Sequence, residues 1–230
     1  MVSTRNVLVR LLVAVFLCGG FAVAQVQAQD RAAEVVRMTG TANAVTETGG
    51  SRDLSAGDDL FQGDRIETAA DSSIRMRFSD GSAFSLGENA AMSVDAYSYQ
   101  ENSAGNSFTS SIFKGVFRFV SGFIARQRAR SMGVRTPVAT IGIRGTQVAG
   151  EVDATSARIM LLEPEGEARP TSIEVSNAFG SVVVDEPGFG TEVPDANSPP
   201  SPPRRMQLRA VQNLMRSLQS ISRIRTPRMR

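Results

Sequence analysis

The stretch Ser73-Ile-Arg-Met-Arg-Phe78, followed at once by Ser79-Asp80-Gly81-Ser82 and by Ala83-Phe-Ser-Leu86, constrains the chain most. Ile74, Met76 and Phe78 fall on one side of an extended segment, and Ser73, Arg75 and Arg77 on the other, so one face is apolar and one is wet. Asp80-Gly81 is a turn dipeptide that accepts positive φ, and Phe84 and Leu86 resume the apolar face beyond it. The segment therefore reads as a β-hairpin. A helix would scatter those five apolar side chains around its circumference.

The same grammar continues on both sides of the hairpin. Candidate strands are Glu34 to Met38, Ala42 to Thr46, Arg65 to Thr68, Met92 to Tyr99, Ser107 to Phe113 and Val116 to Val120. After a basic stretch from Arg126 to Arg130 they resume with Val134 to Thr136, Val138 to Ile143, Gln147 to Val152, Arg158 to Leu162, Ile173 to Val175 and Val182 to Val184. Many short strands separated by Gly, Asp, Asn and Pro, with little helical periodicity, predict an all-β fold. A β-sandwich, a β-roll and a short solenoid all suit this series, and no repeat of fixed period chooses among them.

Three further segments frame this body. Arg5 and Arg10 precede a 14-residue apolar run, Leu11 to Ala24, which is short against the roughly 20 residues of a membrane span. Small-x-small sites follow at Ala22-Val-Ala24 and Val26-Gln-Ala28, so residues 1–28 read as a secretory signal cleaved after Ala28, or alternatively after Ala24. The expected location is periplasmic or otherwise exported. Residues 187–205 hold Pro194, Pro199, Pro200, Pro202 and Pro203 and read as a linker. In the tail, 206–230, Leu208, Val211, Met215 and Leu218 recur at helical spacing, which predicts a C-terminal basic amphipathic helix.

Charge divides along the same lines. Residues 25–203 carry 15 basic and 23 acidic side chains, a net of −8, whereas 204–230 carry eight arginines and no acid. Arg204, Arg205, Arg209, Arg216, Arg223 and Arg225 are the candidate docking groups of the tail, for a membrane surface, a partner protein or the chain's own body. Nucleic acid is not an expected partner of an exported chain.

Composition bears on chemistry. The sequence has no His and no Trp, and its single cysteine, Cys18, lies inside the signal segment. That removes the commonest general base and metal ligand, the best sugar-stacking ring, and any thiolate or disulfide in the mature chain. No cofactor is expected, and no catalytic or metal-binding residues are assigned. The acidic pairs Asp58-Asp59 and Asp185-Glu186, and the alternating Glu163, Glu165 and Glu167, read as solvated turns; a calcium cage would need more oxygen ligands converging. The remaining enzymatic alternative is a carboxylate-based envelope glycan hydrolase.

Three motifs carry a resemblance. Gly63-Asp-Arg-Ile-Glu-Thr68 with the 73–82 hairpin, Phe113-Lys-Gly-Val-Phe-Arg118, and Val134-Arg-Thr-Pro-Val-Ala-Thr-Ile-Gly-Ile-Arg-Gly-Thr146 together resemble the FecR protein domain, over about residues 57–153 of an all-β domain spanning 33–186. Val175 to Val184 is similar to the strand pair that often follows in that family. The resemblance implies an exported, non-catalytic module of cell-surface signalling, of the kind found in iron-dicitrate-type sensors and as stand-alone proteins. It transfers no catalytic residue, and its partner, an envelope protein or glycan, is unknown. No anti-sigma segment is expected before the apolar run.

The matching positions also have a reading of their own as scaffold: Gly63, Asp80, Gly81, Gly115, Thr136, Pro137, Gly142, Arg144, Gly145 and Thr146. Pro137 sets φ and removes a donor at a bend, and Gly142 and Gly145 permit a tight turn or bulge. A phosphate-cradling role for that glycine pair lacks a Walker lysine and a following long helix. Arg144 is expected to bridge to an acid or to cap carbonyl groups between strands.

Overall fold

A computed structural model describes residues 31–127, 131–163, 171–209, 211–213 and 216. The expected signal segment 1–28 and most of the expected tail helix lie outside them. The described chain is all-β. In order, the strands are β1 (Arg31–Thr39), β2 (Ala42–Val45), β3 (Ser51–Asp53), β4 (Asp59–Phe61), β5 (Arg65–Thr68), β6 (Ser73–Phe78), β7 (Ala83–Leu86), β8 (Ala91–Ser98) and β9 (Ser107–Val120). A single helical turn, α1 (Ile124–Gln127), follows. Then come β10 (Met132–Arg135), β11 (Thr140–Arg144), β12 (Gln147–Val152), β13 (Ala157–Leu162), β14 (Ser172–Asn177), β15 (Gly180–Val184), β16 (Phe189–Val193) and β17 (Arg204–Arg205).

Strand pairing resolves these into two layers. The first runs β4-β1-β6-β7-β9-β12-β13-β16-β17 and is antiparallel throughout. The second runs β3-β2-β5-β8-β9-β10-β11-β14-β15 and is antiparallel except for β9 with β10. Strand β9 belongs to both: Ser107 to Lys114 pairs with β8, while Gly115 to Val120 pairs with β12. The expected strands 107–113 and 116–120 are thus one strand that changes layer at Gly115, where φ is +102° and a Cβ would stand 2.4 Å from that of Ala90. Only glycine fits that crossing.

The inward residues of the two layers close one core. Phe78, Phe84 and Phe119 from the first layer meet Phe108 from the second, with ring centroids 4.5, 6.2 and 5.6 Å from it. All four rings are essentially buried, each burial contributing about 1.5–3 kcal/mol. Face-to-face layers make the arrangement a sandwich, of the three anticipated, and its single parallel pairing sets it apart from a parallel solenoid.

The sequence reading ends the β-domain at 186 and treats 187–205 as a linker without ladder pairing; the structure corrects this. Residues 189–193 pair with β13 as β16, with Thr191 and Val193 fully buried, and β17 pairs with β16 in turn. Phe189-Gly-Thr-Glu-Val193 has its own period-two pattern, and the prolines of the segment stand outside it, Pro187 before Phe189 and the others after Val193, where they break no hydrogen bond of this strand.

Candidate functional site

Three turns distant in sequence meet at one end of the sandwich. The Asp80-Gly81 turn joins β6 to β7, Ser121-Gly122-Phe123 leaves β9, and Arg144-Gly145-Thr146 joins β11 to β12. With Ala125, Arg126, Gln147, Thr171, Ser172, Val183 and Asp185 they line an open cleft of about 960 Å³.

Asp80 holds this junction together. Its side chain is fully buried, and its carboxylate accepts hydrogen bonds from the Ser82 N–H (3.0 Å), the Ser82 hydroxyl (2.7 Å) and the Ile124 N–H (3.4 Å). The Phe123 N–H donates to its backbone carbonyl at 2.9 Å, and the Gly122 N–H donates to Ser82 Oγ at 2.8 Å. The Asp80 N–H in turn donates to the Tyr97 phenol oxygen at 2.9 Å. Burial, and then the neighbouring Asp80 charge, hold the Tyr97 phenol well above the ordinary tyrosine range. Gly122 leaves no room for a side chain, since a Cβ would lie 2.3 Å from the Asp80 carbonyl oxygen. On the opposite wall Thr146 is buried, and its carbonyl accepts from the Ser121 N–H at 3.0 Å.

The rim has the opposite character. Phe123 and Val183 are 56% and 55% exposed, two of the three large apolar side chains so exposed among the described residues; the third is Phe179. Arg126 lies over the Phe123 ring at 5.2 Å. The Arg144 side chain is exposed and, against the expectation that it would bridge or cap, makes no hydrogen bond or ion pair among the described residues. Arg144 is the last residue of β11, at the start of the turn to β12. Two cations and two apolar groups thus face solvent over a hydrogen-bonded base, with Asp185 the one exposed acid among the described residues of the lining. Such a rim can bind, whereas the buried Asp80 carboxylate is taken up by three donors of the scaffold.

Of the positions singled out by sequence, the structure brings Asp80, Gly81, Arg144, Gly145 and Thr146 together here. Gly63, Gly115, Thr136 and Pro137 build strand junctions elsewhere. Gly63 (φ +88°) turns between β4 and β5. The Thr136 hydroxyl donates to the Ala139 carbonyl (3.0 Å) and accepts from the Ala139 N–H (3.0 Å), which clamps the Pro137 turn. Gly142, expected at a tight turn or bulge, lies instead within β11, in unbroken register with Gly133 and Glu174. Phe123, Arg126 and Val183 were missed because a single exposed apolar residue at a strand end leaves no periodic signal.

In the tail, Arg204 pairs with Glu192 and Arg205 lies over Phe189 at 5.8 Å. Arg209 and Arg216 are exposed, and Arg223 and Arg225 lie outside the described residues. Leu208 and Val211 are buried against Ala149, Met160, Val116, Leu162 and Met206 on the outer face of the first layer. Docking on the chain's own body is therefore what these two apolar tail residues do.

The sequence profile of the family described as FecR protein matches residues 64–169. No curated protein matches the chain. Among solved structures, two crystal structures of a candidate anti-sigma factor from Parabacteroides distasonis share 15% identity over 67% of this chain and 64% of theirs, with TM-scores of 0.48 and 0.49. The chain thus spans less than two thirds of their length. A cell surface anchoring domain shares 22% identity over 27% of this chain and 82% of its own, with a TM-score of 0.27.

Proposed function

Since residues 64–169 of this chain form a FecR-like domain, we propose that the protein is a non-catalytic, exported binding or sensory module of the cell envelope that engages its partner at the cleft between the 80–81, 121–123 and 144–146 turns. The observation that carries this reading is the rim: exposed Phe123 and Val183 beside Arg126 and Arg144, neither of which has an acidic partner among the described residues. Exposed apolar groups cost solubility, and uncompensated cations leave a local positive potential, so their convergence over a rigid base favours a recognition surface. A glycan hydrolase is disfavoured by the same site, because Asp80 serves the scaffold and, among the described residues of the lining, Asp185 has no second accessible carboxylate.

The full chain and its Arg126→Glu/Arg144→Glu variant, used as baits in envelope extracts, test the site. Recovery of a component by the unaltered chain that the variant fails to retain is the expected result; equal recovery by both removes the cleft from consideration. Export is tested by sequencing the N-terminus of the protein from its native host, with Gln29 expected as the first residue, or Gln25 if the earlier site is used. A chain that still begins at its first residues would defeat the signal reading.

A further inference from the structure

The three exposed large apolar residues of the described chain do not lie at random. Phe179 sits in the β14–β15 turn, Val183 on β15, and Phe123 in the cleft beyond the end of β15. Four residues of extended chain separate Phe179 from Val183, about 13 Å at the rise of a strand. The apolar positions therefore follow the line of β15 into the site.

Strand β15 is also an edge. It pairs with β14 on one side, and no other strand among the described residues pairs with it. Its sequence, Gly180-Ser-Val-Val-Val184, carries no lysine, proline or charged residue of the kind that guards an open edge, and three β-branched residues favour pairing. The edge runs towards a positive rim: Arg144 pairs across β11 with Ser172 of β14, the residue before the Ile173–Val184 pair, and Arg126 is steadied on Phe123. Among the described residues of the lining two cations, Arg126 and Arg144, stand against one exposed acid, Asp185, a balance that favours a carboxylate there.

From these features, and resting on the reading of the cleft as the binding site, we infer that the partner is presented as an extended polypeptide strand that pairs with the free edge of β15 and turns an acidic residue into the cleft towards Arg126 and Arg144. Main-chain hydrogen bonds to β15 supply the register, alternate apolar side chains cover Phe179 and Val183, and the carboxylate supplies direction. A peptide entering the opposite way would set its acid beside the turn at Phe179, where neither arginine stands.

A library of random dodecapeptides displayed on phage and selected on the immobilised full chain tests this. Enriched sequences are expected to alternate β-branched or aromatic residues and to carry Asp or Glu at one end. Resynthesised, they are expected to bind about tenfold or more weakly when alternate backbone amides are N-methylated, and again with Arg126→Glu/Arg144→Glu, each change removing hydrogen bonds worth at least one decade in affinity. Val183→Lys, which places a guarding charge on the edge, serves as an independent variant. Both arginines and Val183 are exposed, so unchanged thermal unfolding of the variants checks the fold. Binding indifferent to N-methylation, or to charge reversal, overturns the inference, as does sedimentation showing the edge filled by a second copy of the chain. If no peptide is enriched while capture from envelope extracts still depends on the arginines, the cleft stands as a binding site and strand addition falls. If capture is itself indifferent to them, the site reading falls first.

Discussion

Asp80 shows how one residue can serve a site without acting in it. It is a turn residue by type, yet it is fully buried because three donors converge on its carboxylate from its own turn and from the start of α1. Asp80→Ala strands those donors in a buried junction and is expected to cost about 3 kcal/mol, read from urea unfolding, with Asp80→Asn costing less. Tyr97 adds a pH dependence. Its folded pKa is raised, so the neutral phenol is the form that folding favours, and the stabilisation is complete below the unfolded value of about 10. It is lost as pH rises beyond that value towards the folded one. Unfolding free energy followed from pH 8 to 11 should therefore fall at the alkaline end, and Tyr97→Phe should flatten that part of the fall.

At the scale of elements, β9 decides the architecture. Its first half completes one layer and its second half the other, and the change occurs at a glycine whose φ is +102°. Gly115→Ala meets both a disfavoured backbone and the Ala90 Cβ and Cα, at 2.4 and 2.5 Å, and is expected to destabilise the protein by about 2–4 kcal/mol in denaturant titration. Ala90→Gly in the same chain should recover part of the loss, since it removes the clash with the Cβ and leaves the backbone strain. Strand β16 makes the matching point at the other end of the first layer. Its Gly190 admits the tail, because a Cβ there would stand 2.3 Å from the Ile159 carbonyl oxygen and 2.8 Å from Met206 Sδ.

Taken as a whole, the molecule is an acidic body that its basic C-terminal segment helps to close. The Met206 N–H donates to the Gly188 carbonyl at 2.9 Å, and Leu208 and Val211 seat on Ala149 and Met160. Removing residues 206–230 should uncover Val116, Met160 and Leu162. The expected result is a loss of about 2–4 kcal/mol, the burial of two aliphatic side chains less the entropy of ordering them, together with increased binding of a hydrophobic dye. Unchanged stability and dye binding would show that the seat contributes nothing.

The sequence by itself determined the all-β class, the hairpin at 73–86 and the turn positions, because alternation with period two and residues tolerant of positive φ are local properties. It also contained the pieces of the site: Asp80, Gly81, Arg144, Gly145 and Thr146 were all legible as turn or junction residues. What it did not contain was their meeting, which depends on how far apart in sequence the paired strands lie, nor the union of 107–113 with 116–120 into a strand shared by both layers. Strands β3, β4 and β17, of three, three and two residues, are too short for periodicity to register. The place of 189–193 in the sheet was masked by the prolines that follow it. Exposure of Phe123, Val183 and Arg144 was decided by tertiary structure alone: which side chains remain uncovered depends on every element packed around them, whereas which segments extend depends chiefly on their own residues.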